Sequence, residues 1–527
     1  MSAAASSNQS PPFDDVNLFS SDLALQEAVA AAGLQSEFPR LTAFGAQWGS
    51  PECFELGRLA NENPPRFVPI DPRGKRIDSV EFHPAYHELM RRSMEAGLHV
   101  STWEGSPHAL RAAQLFMAYQ AESGHICPIT MTHAAMAAMR AEPALLARWR
   151  PLIAGKVYDP RARPWQDKSV VTLGMAMTER QGGADLRTNE TRATRRGDCY
   201  EITGEKWFMS APMSDAFLTL AQAQGGLTCF LLPRFTPEGA LNGVRIQRLK
   251  DKLGDRSNAS SEVAFEQAFA ERVGPEGAGL RTILAMVQMT RLDCAIASAG
   301  LMRFGLANAA HHARHRRAFG RALIEQPAMR ATLAELALEV EASTALALRL
   351  ARAFDAAPDN DREAAYARLL TPAVKYLVCK LAPGFLYECM ECLGGNGYVE
   401  DWPLARAYRQ APVNAIWEGS GNVMALDVLR AAARAPQAAA QVVADFQEPN
   451  ATAGLSDELG EARSEGRARR TTERLARAAA LAALRETQPA LADAYRATRC
   501  ASGPRSGWGA TDLGATENVL IERILPA

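Results

Sequence analysis

The segment Ile416-Trp417-Glu418-Gly419-Ser420-Gly421 carries the residue best suited to chemistry in this chain. Glu418 stands between a large aromatic side chain and a flexible glycine turn. Apolar surroundings disfavour the charged form of a carboxylate, which raises its pKa toward the range of a working general base. The same pattern fits a solvated glutamate at a helix start, and the residues alone leave both readings open. Upstream, Gly394-Gly395-Asn396-Gly397-Tyr398 follows a helical stretch, and its glycines permit a tight turn with close backbone approach to a ligand. The run Met175-Ala176-Met177-Thr178-Glu179-Arg180-Gln181-Gly182-Gly183-Ala184-Asp185 reads as a strand ending in a glycine turn. Amides in such a turn can face an anion, and Thr178 can donate and accept hydrogen bonds; an ordinary tight turn fits as well. In Gly204-Glu205-Lys206-Trp207-Phe208-Met209-Ser210 the adjacent aromatics should face opposite sides of a strand. One can then pack the core while the other meets a planar ligand ring, with the Ser210 hydroxyl on the side of Phe208.

These segments need elements to position them. Apolar residues at three- and four-residue intervals place helices at 23–32, across 82–152 and from 279 to 433. The last of these ranges holds four long amphipathic stretches, which suggests a bundle; prolines inside the third can cut or bend it. Short strand-like pieces separated by turns fill residues 169–273. They lack the intervening helices of βαβ units, so an antiparallel β-domain is expected and a dinucleotide-binding parallel sheet is disfavoured. Residues 51–79 read as extended loop, and 438–460 as a linker before a strongly helical stretch and one short final helix. The expected fold class is mainly α with a middle β-domain. Its expected parts are 1–167, an N-terminal tail and helical domain; 168–275, the β-domain; 276–437, a four-helix domain; and 438–527, a helical extension.

Composition narrows the classes of function. A chain of 527 residues exceeds what one core usually holds, so two to four domains are expected. A net charge of -1 excludes a whole-protein field as a basis for nucleic-acid binding and leaves only a local basic patch. Nine cysteines without framework spacing fit a reducing compartment. Cys389 and Cys392 form C-x-x-C without a second pair, and His83, His87, His125 and His133 lack partners at ligand spacing, so no metal site is expected. No uninterrupted apolar run reaches the roughly 20 residues of a membrane span, and the first residues lack the features of a signal peptide. A cytoplasmic location without membrane contact is the expectation.

Taken together, "MTERQGGADL", "GEKWFMSAPMSDA", "HRRAFG", "LGGNGY" and "AIWEGSGNVMALDVLR" resemble the acyl-CoA dehydrogenase family, and within it the AidB-like branch of alkylation-response flavoproteins. The resemblance implies a helical domain, a β-domain and a four-helix domain, with FAD held between them and a neighbouring subunit. It implies that Met177 and Thr178 contact the flavin ring, that Phe208 takes the place of a flanking tryptophan, and that Ser210 stands near flavin N5. Gly183 and Trp417 belong to the implied cofactor set. Arg316 and Phe319 would reach the cofactor of the partner subunit, Gln326 would make a further cofactor contact, Glu391 and Gly395 would lie near the adenine end, and Ser420 would also meet FAD. Glu418 falls on the base that abstracts the α-proton of an acyl thioester while the β-hydrogen leaves as hydride to the flavin. The Glu418 amide and a ribityl hydroxyl would polarise the thioester carbonyl, and Arg291 would give electrostatic support. A homotetramer, built as a dimer of dimers, is implied. Arg180 stands where the family has proline, Ala184 where it has serine, and Trp417 where tyrosine is frequent; the last could narrow the substrate channel against long acyl chains.

The extension carries Arg463, Arg467, Arg470, Arg474 and Arg477 at intervals of three and four, one basic stripe if the stretch is helical. Such a stripe could contact the phosphates of double-stranded DNA, or it could be a solvated face of i,i+4 ion pairs with Glu461, Glu465 and Glu473. Two functions follow. One is an FAD-dependent oxidoreductase acting on a short or branched acyl-CoA; the other is a DNA-binding protective flavoprotein with a vestigial dehydrogenase site.

Overall fold

A computed structural model describes residues 8–460, 465–500 and 508–526. The chain opens with helices α1 (Leu23–Ala31), α2 (Phe38–Trp48) and α3 (Pro51–Glu62), then the hairpin β1 (Arg66–Ile70) and β2 (Arg76–Glu81). Helices α4 (Pro84–Glu95), α5 (His108–Ala121), α6 (Ile126–Met139) and α7 (Pro143–Ile153) follow. The strands are β3 (Leu173–Ala176), β4 (Arg192–Arg196), β5 (Cys199–Ser210), β6 (Ala216–Ala223), β7 (Gly226–Pro233), β8 (Val244–Leu249) and β9 (Ser260–Val273). Then come α8 (Gly279–His315), α9 (Pro327–Ala356), α10 (Asp361–Cys392), α11 (Gly395–Tyr398), α12 (Pro403–Asn414) and α13 (Gly421–Arg434). The extension holds α14 (Pro436–Ala444), α15 (Pro449–Thr452), α16 (Leu455–Gly460), α17 (Ala468–Thr487), α18 (Pro489–Tyr495) and α19 (Thr516–Ile524). The chain forms two compact units: one of Met1–Pro51, Ser106–Ala121 and Arg291–Ala527, the other of Glu52–Gly105 and Glu122–Thr290.

Two sequence expectations change here. Residues 51–79 contain α3 and a β-hairpin rather than an extended loop, and the expected linker at 438–460 is built from α14, α15 and α16. The cause is common to both. Pro51, Pro436 and Pro449 each occupy the first position of a helix. There the missing N–H has no intrahelical partner to lose and the fixed φ already suits the helix.

In the second unit the seven-stranded sheet runs β3-β5-β4-β6-β7-β9-β8, with additional pairings β3–β6 and β5–β9. The long strands β5 and β9 therefore close a ring of pairings, β3-β5-β9-β7-β6 and back to β3. The sheet is mainly antiparallel, as its short turns imply, but β3 pairs β6 in parallel, so it is mixed rather than purely antiparallel. Tyr200, Ile202, Met209, Phe217, Phe230, Val263 and Phe265 fill its core.

In the first unit α9 and α10 run 30 and 32 residues. α10 continues through Pro372 and Pro383 without a break, because packing along most of its surface outweighs the lost hydrogen bonds. By length and composition α10 could cross a membrane, yet 78% of its most apolar stretch is buried inside the protein. Lys375 and Lys380 interrupt the run that the sequence criterion seeks. α9 buries three acids, and the extension supplies their counter-ions. Arg499 meets Glu335 at 3.1 Å and Glu339 at 2.9 Å, Arg477 also meets Glu339, and Arg523 meets Glu341 at 2.6 Å. All nine cysteines are unbridged, and Cys389 and Cys392 lie buried in α10.

Candidate active site

Two of the sequence segments meet on the sheet. Met175 pairs with Ser210 and Ala176 with Met209, and the Trp207 amide donates to the Thr178 carbonyl at 2.9 Å. Met177, Thr178, Phe208 and Ser210 therefore share one region of β3 and β5. The turn beyond Thr178 is tied by reciprocal backbone bonds between Glu179 and Gly182. A Cβ on Gly183 would come within 2.7 Å of the Thr178 hydroxyl, so only glycine lets the turn fold over that side chain. Beneath it lies a buried ion pair: Lys206 Nζ donates to Glu179 Oε1 at 2.6 Å and to the Leu220 carbonyl at 2.8 Å. The amides of Glu190 and Thr191 also donate to Glu179. Burial opposes charge on Glu179, but these donors outweigh it and hold its carboxyl down at about 2; burial lowers Lys206 to about 8 against the pull of Glu179.

The expected division of Trp207 and Phe208 between core and surface does not occur. The pairing of β5 with β9 slips between Lys206 and Met209, and these two residues take the inward positions on either side of the slip. Neither aromatic is in the core. Phe208 is 48% exposed, and Lys250 Nζ stands 3.5 Å from the Trp207 ring centre and 4.6 Å from that of Phe208. A β-bulge of this kind re-aims side chains.

In the first unit Glu418 lies in the turn between α12 and α13, with φ of 57°, followed by Gly419 with φ of 108°. A left-handed glutamate persists only where its surroundings over-determine it. Three consecutive carbonyls of the turn are held by cations: Lys375 Nζ donates to Trp417 O at 2.7 Å and to Gly419 O at 2.5 Å, and Arg291 Nε to Glu418 O at 3.0 Å. Arg291 is fixed in turn by Asp427 at 2.7 Å, which Arg368 also meets at 2.7 Å. Burial works against charge on Asp427, yet the two guanidinium groups overcome it and hold its carboxyl below the usual range. The Trp417 indole donates to Asn414 Oδ1 at 2.9 Å, and Asn414, fully buried, donates to the Tyr119 and Ser298 hydroxyls. Ser420 opens α13; Arg469 and Lys380 both come close to Gly421 beside it.

Arg316, Phe319 and Gln326 share one short hairpin region. Phe319 stands at its tip with φ of 51° and 97% of its surface exposed, and Gln326 Nε2 donates to the Ala318 carbonyl at 3.0 Å. The start of the described chain is stitched to this region. Arg316 donates to the Asn8 carbonyl, Asn8 Nδ2 to the Arg317 carbonyl, and Asn396 Nδ2 to Gln9 Oε1. Glu391 and Gly395 lie exposed at the end of α10 and the start of α11.

The arginine stripe of the extension is not formed as expected. Arg463 lies outside the described residues. Arg474 pairs with Glu458 and donates to the Ala453 carbonyl, while Arg477 is engaged by Glu339, Glu473 and Tyr495. Buried acids on α9 and an acid on α16 draw these two side chains inward, which helical spacing alone does not reveal. Arg467 and Arg470 remain exposed, with Arg469 between them. A cavity of about 830 Å³ lies among Arg352, Tyr366, Phe446, Arg485 and Arg496, and none of the candidate site residues lines it. Its charges are largely matched internally, Arg349 by Glu363, Arg352 by Glu486 and Arg485 by Glu448. His125 bonds Glu122 at 2.7 Å and Ser93 at 2.9 Å, and His87 bonds Tyr158 at 3.1 Å.

Sequence reasoning did not single out Lys375, Asp427 or the Glu179–Lys206 pair. A signal was present for the first: Lys375 is a lone charge inside "TPAVKYLVC", an apolar helical run where a lysine needs a special partner.

Three family models match the chain: "Adaptive response protein AidB N-terminal domain" over residues 8–160, "Acyl-CoA dehydrogenase, middle domain" over 174–268, and "Acyl-CoA dehydrogenase, C-terminal domain" over 277–433. The chain is 48% identical over 431 residues to AidB of Escherichia coli (strain K12), a protein named as an acyl-CoA dehydrogenase, covering 80% of this chain and 79% of that one. It is 34% identical over 420 residues to acyl-CoA dehydrogenase family member 11 of Caenorhabditis elegans, covering 75% and 67%. Among solved structures, Caenorhabditis elegans ACDH-11 in complex with C11-CoA superposes with a TM-score of 0.83 at 25% identity, covering 100% of this chain and 93% of that one.

Proposed function

The chain belongs to the acyl-CoA dehydrogenase family, with an AidB-like N-terminal part, and from that premise we propose that it is an FAD-dependent oxidoreductase acting on a short or branched acyl-CoA. FAD, when bound, supplies the acceptor for the β-hydride. The residues present suit a planar ring with polar edges: an exposed aromatic, Phe208, beside the hydroxyls of Thr178 and Ser210, under a turn that only Gly183 permits. Phe319, Arg316, Gln326, Glu391 and Gly395 are the residues proposed to meet the cofactor of a neighbouring subunit in a homotetramer, and Ser420 and Trp417 to complete the set. Glu418 takes the α-proton, its backbone amide meets the thioester oxygen as negative charge grows there, and Arg291 holds the turn that carries both. The observation that carries this reading is the left-handed Glu418 turn, its three carbonyls bound by buried cations. Anaerobic mixing of the FAD-loaded protein with a panel of short and branched acyl-CoA thioesters tests it. Bleaching of the flavin absorbance by at least one is expected, and no bleaching by any would remove the dehydrogenase reading.

A second reading, a double-stranded-DNA-binding protein of the alkylation-damage response, rests on the exposed Arg469 and Arg470 in the first turn of α17. Arg474 and Arg477 do not support it, since both are engaged within the protein. Charge reversal of Arg469 and Arg470 together should weaken duplex binding about tenfold or more and lower the log–log salt slope by about 2. An unchanged slope would take this helix end out of DNA contact.

A further inference from the structure

Lys375 lies mid-way along α10 with 1% of its surface exposed. A buried ammonium requires strong acceptors, and the two it has are peptide carbonyls, those of Trp417 and Gly419 on either side of Glu418. We propose that Lys375 is a positioning residue for proton abstraction, fixing both the left-handed backbone of Glu418 and the direction of its amide. The inference rests on the dehydrogenase reading above and adds a residue to it.

The physical argument starts from the peptide plane. In a trans peptide the C=O and the following N–H point in opposite directions. A Trp417 carbonyl turned toward Lys375 therefore sends the Glu418 N–H to the opposite side. Arg291, bound to the Glu418 carbonyl, sends the Gly419 N–H away from Arg291, and the Gly419 carbonyl on Lys375 sends the Ser420 N–H away from Lys375. Three successive amides thus turn away from the cations of α8 and α10, where a carbonyl oxygen gaining negative charge can be met. Glu418 gains nothing locally from a φ of 57°, since the left-handed region crowds its Cβ. Lys375 supplies two of the three cation contacts to the turn's carbonyls. Gly419 is required beside it because its φ of 108° is a backbone conformation that residues with a Cβ rarely adopt.

Lys375→Met keeps the length and volume of the stem and removes both hydrogen bonds; Lys375→Gln keeps one amide donor. In the FAD-loaded protein the Met variant should lower kcat and the rate of α-proton exchange of an acyl-CoA into D2O about 100-fold, with KM changed less than about 3-fold, and the Gln variant should lie between. Hydrogen–deuterium exchange of the peptide covering residues 413–424 should speed up in both variants, with or without FAD. If that exchange is unchanged, or kcat stays within about 3-fold of the parent while the turn loosens, the inference is overturned. Should the Met variant fail to fold, the Gln variant decides by the same measurements. If the parent protein neither exchanges the α-proton nor bleaches with any thioester, the dehydrogenase reading falls and the role of Lys375 in proton abstraction falls with it, whereas a working parent with an unaffected variant sinks Lys375 alone.

Discussion

Glu418→Gln is expected to lower the rate of flavin reduction by an acyl-CoA about 10²- to 10⁴-fold, the range attributed to a positioned general base. The substitution is close to isosteric and replaces a carboxylate that can take a proton by a neutral amide that cannot. The contacts that hold the turn are made by its carbonyls with Lys375 and Arg291, and these belong to the main chain, so they survive the change. Substrate affinity and thermal stability should therefore change little, which separates lost chemistry from lost structure. Single-turnover reduction followed anaerobically, with the melting temperature measured alongside, checks this. A variant keeping a tenth of the parent rate would assign the proton to another group.

The largest expected effect on stability is in the second unit. Lys206→Met leaves Glu179 charged, 4% exposed and without its counter-ion, and breaking one side of such a buried pair costs roughly 3–5 kcal/mol. Replacing Glu179 by Met as well should recover part of that loss, because no unpaired buried charge remains, although the Glu190 and Thr191 amides and the Leu220 carbonyl lose their partners. Urea unfolding of both variants and of the double variant measures the difference. A single Lys206→Met loss below about 1 kcal/mol would mean that the pair is not a buried unit. Glu179 also sets an acid limit. Its folded pKa of about 2 is below the ordinary 4.5, so the stability it contributes is complete above pH 4.5 and is lost as pH falls toward about 2. In the variant the turn that carries Thr178 and Gly183 loses its anchor, and flavin retention should fall together with stability.

Much of this was legible in the residues. The apolar spacing of α8, α9, α10 and α13 and the short turns between strands placed helices and sheet where they occur. What spacing could not show were features set by distant partners. Trp207 and Phe208 looked like an alternating pair, but the slip in pairing with β9 turns both from the core. Arg474 and Arg477 looked like part of a solvent stripe, but Glu458 and Glu339 lie elsewhere in the chain and pull them in. Residues 51–79 and 438–460 read as loop and linker, yet Pro51 and Pro449 within them are helix starts. Glu418 was visible as a residue type; the cations that shape its turn come from α8 and α10 and are visible only in three dimensions.

Because Glu335, Glu339 and Glu341 of α9 find their counter-ions in Arg499, Arg477 and Arg523, the end of the chain is welded to the helix beneath it. A chain cut after α13 would bare three acids in an oily interior, and it would have to protonate them, admit water or unravel. Any of these would disturb α10, the neighbour of α9 that carries Lys375. An inactive truncation would therefore say nothing about which end of the protein does what. The two ends can be dissected by single exchanges on the surface, never by scissors.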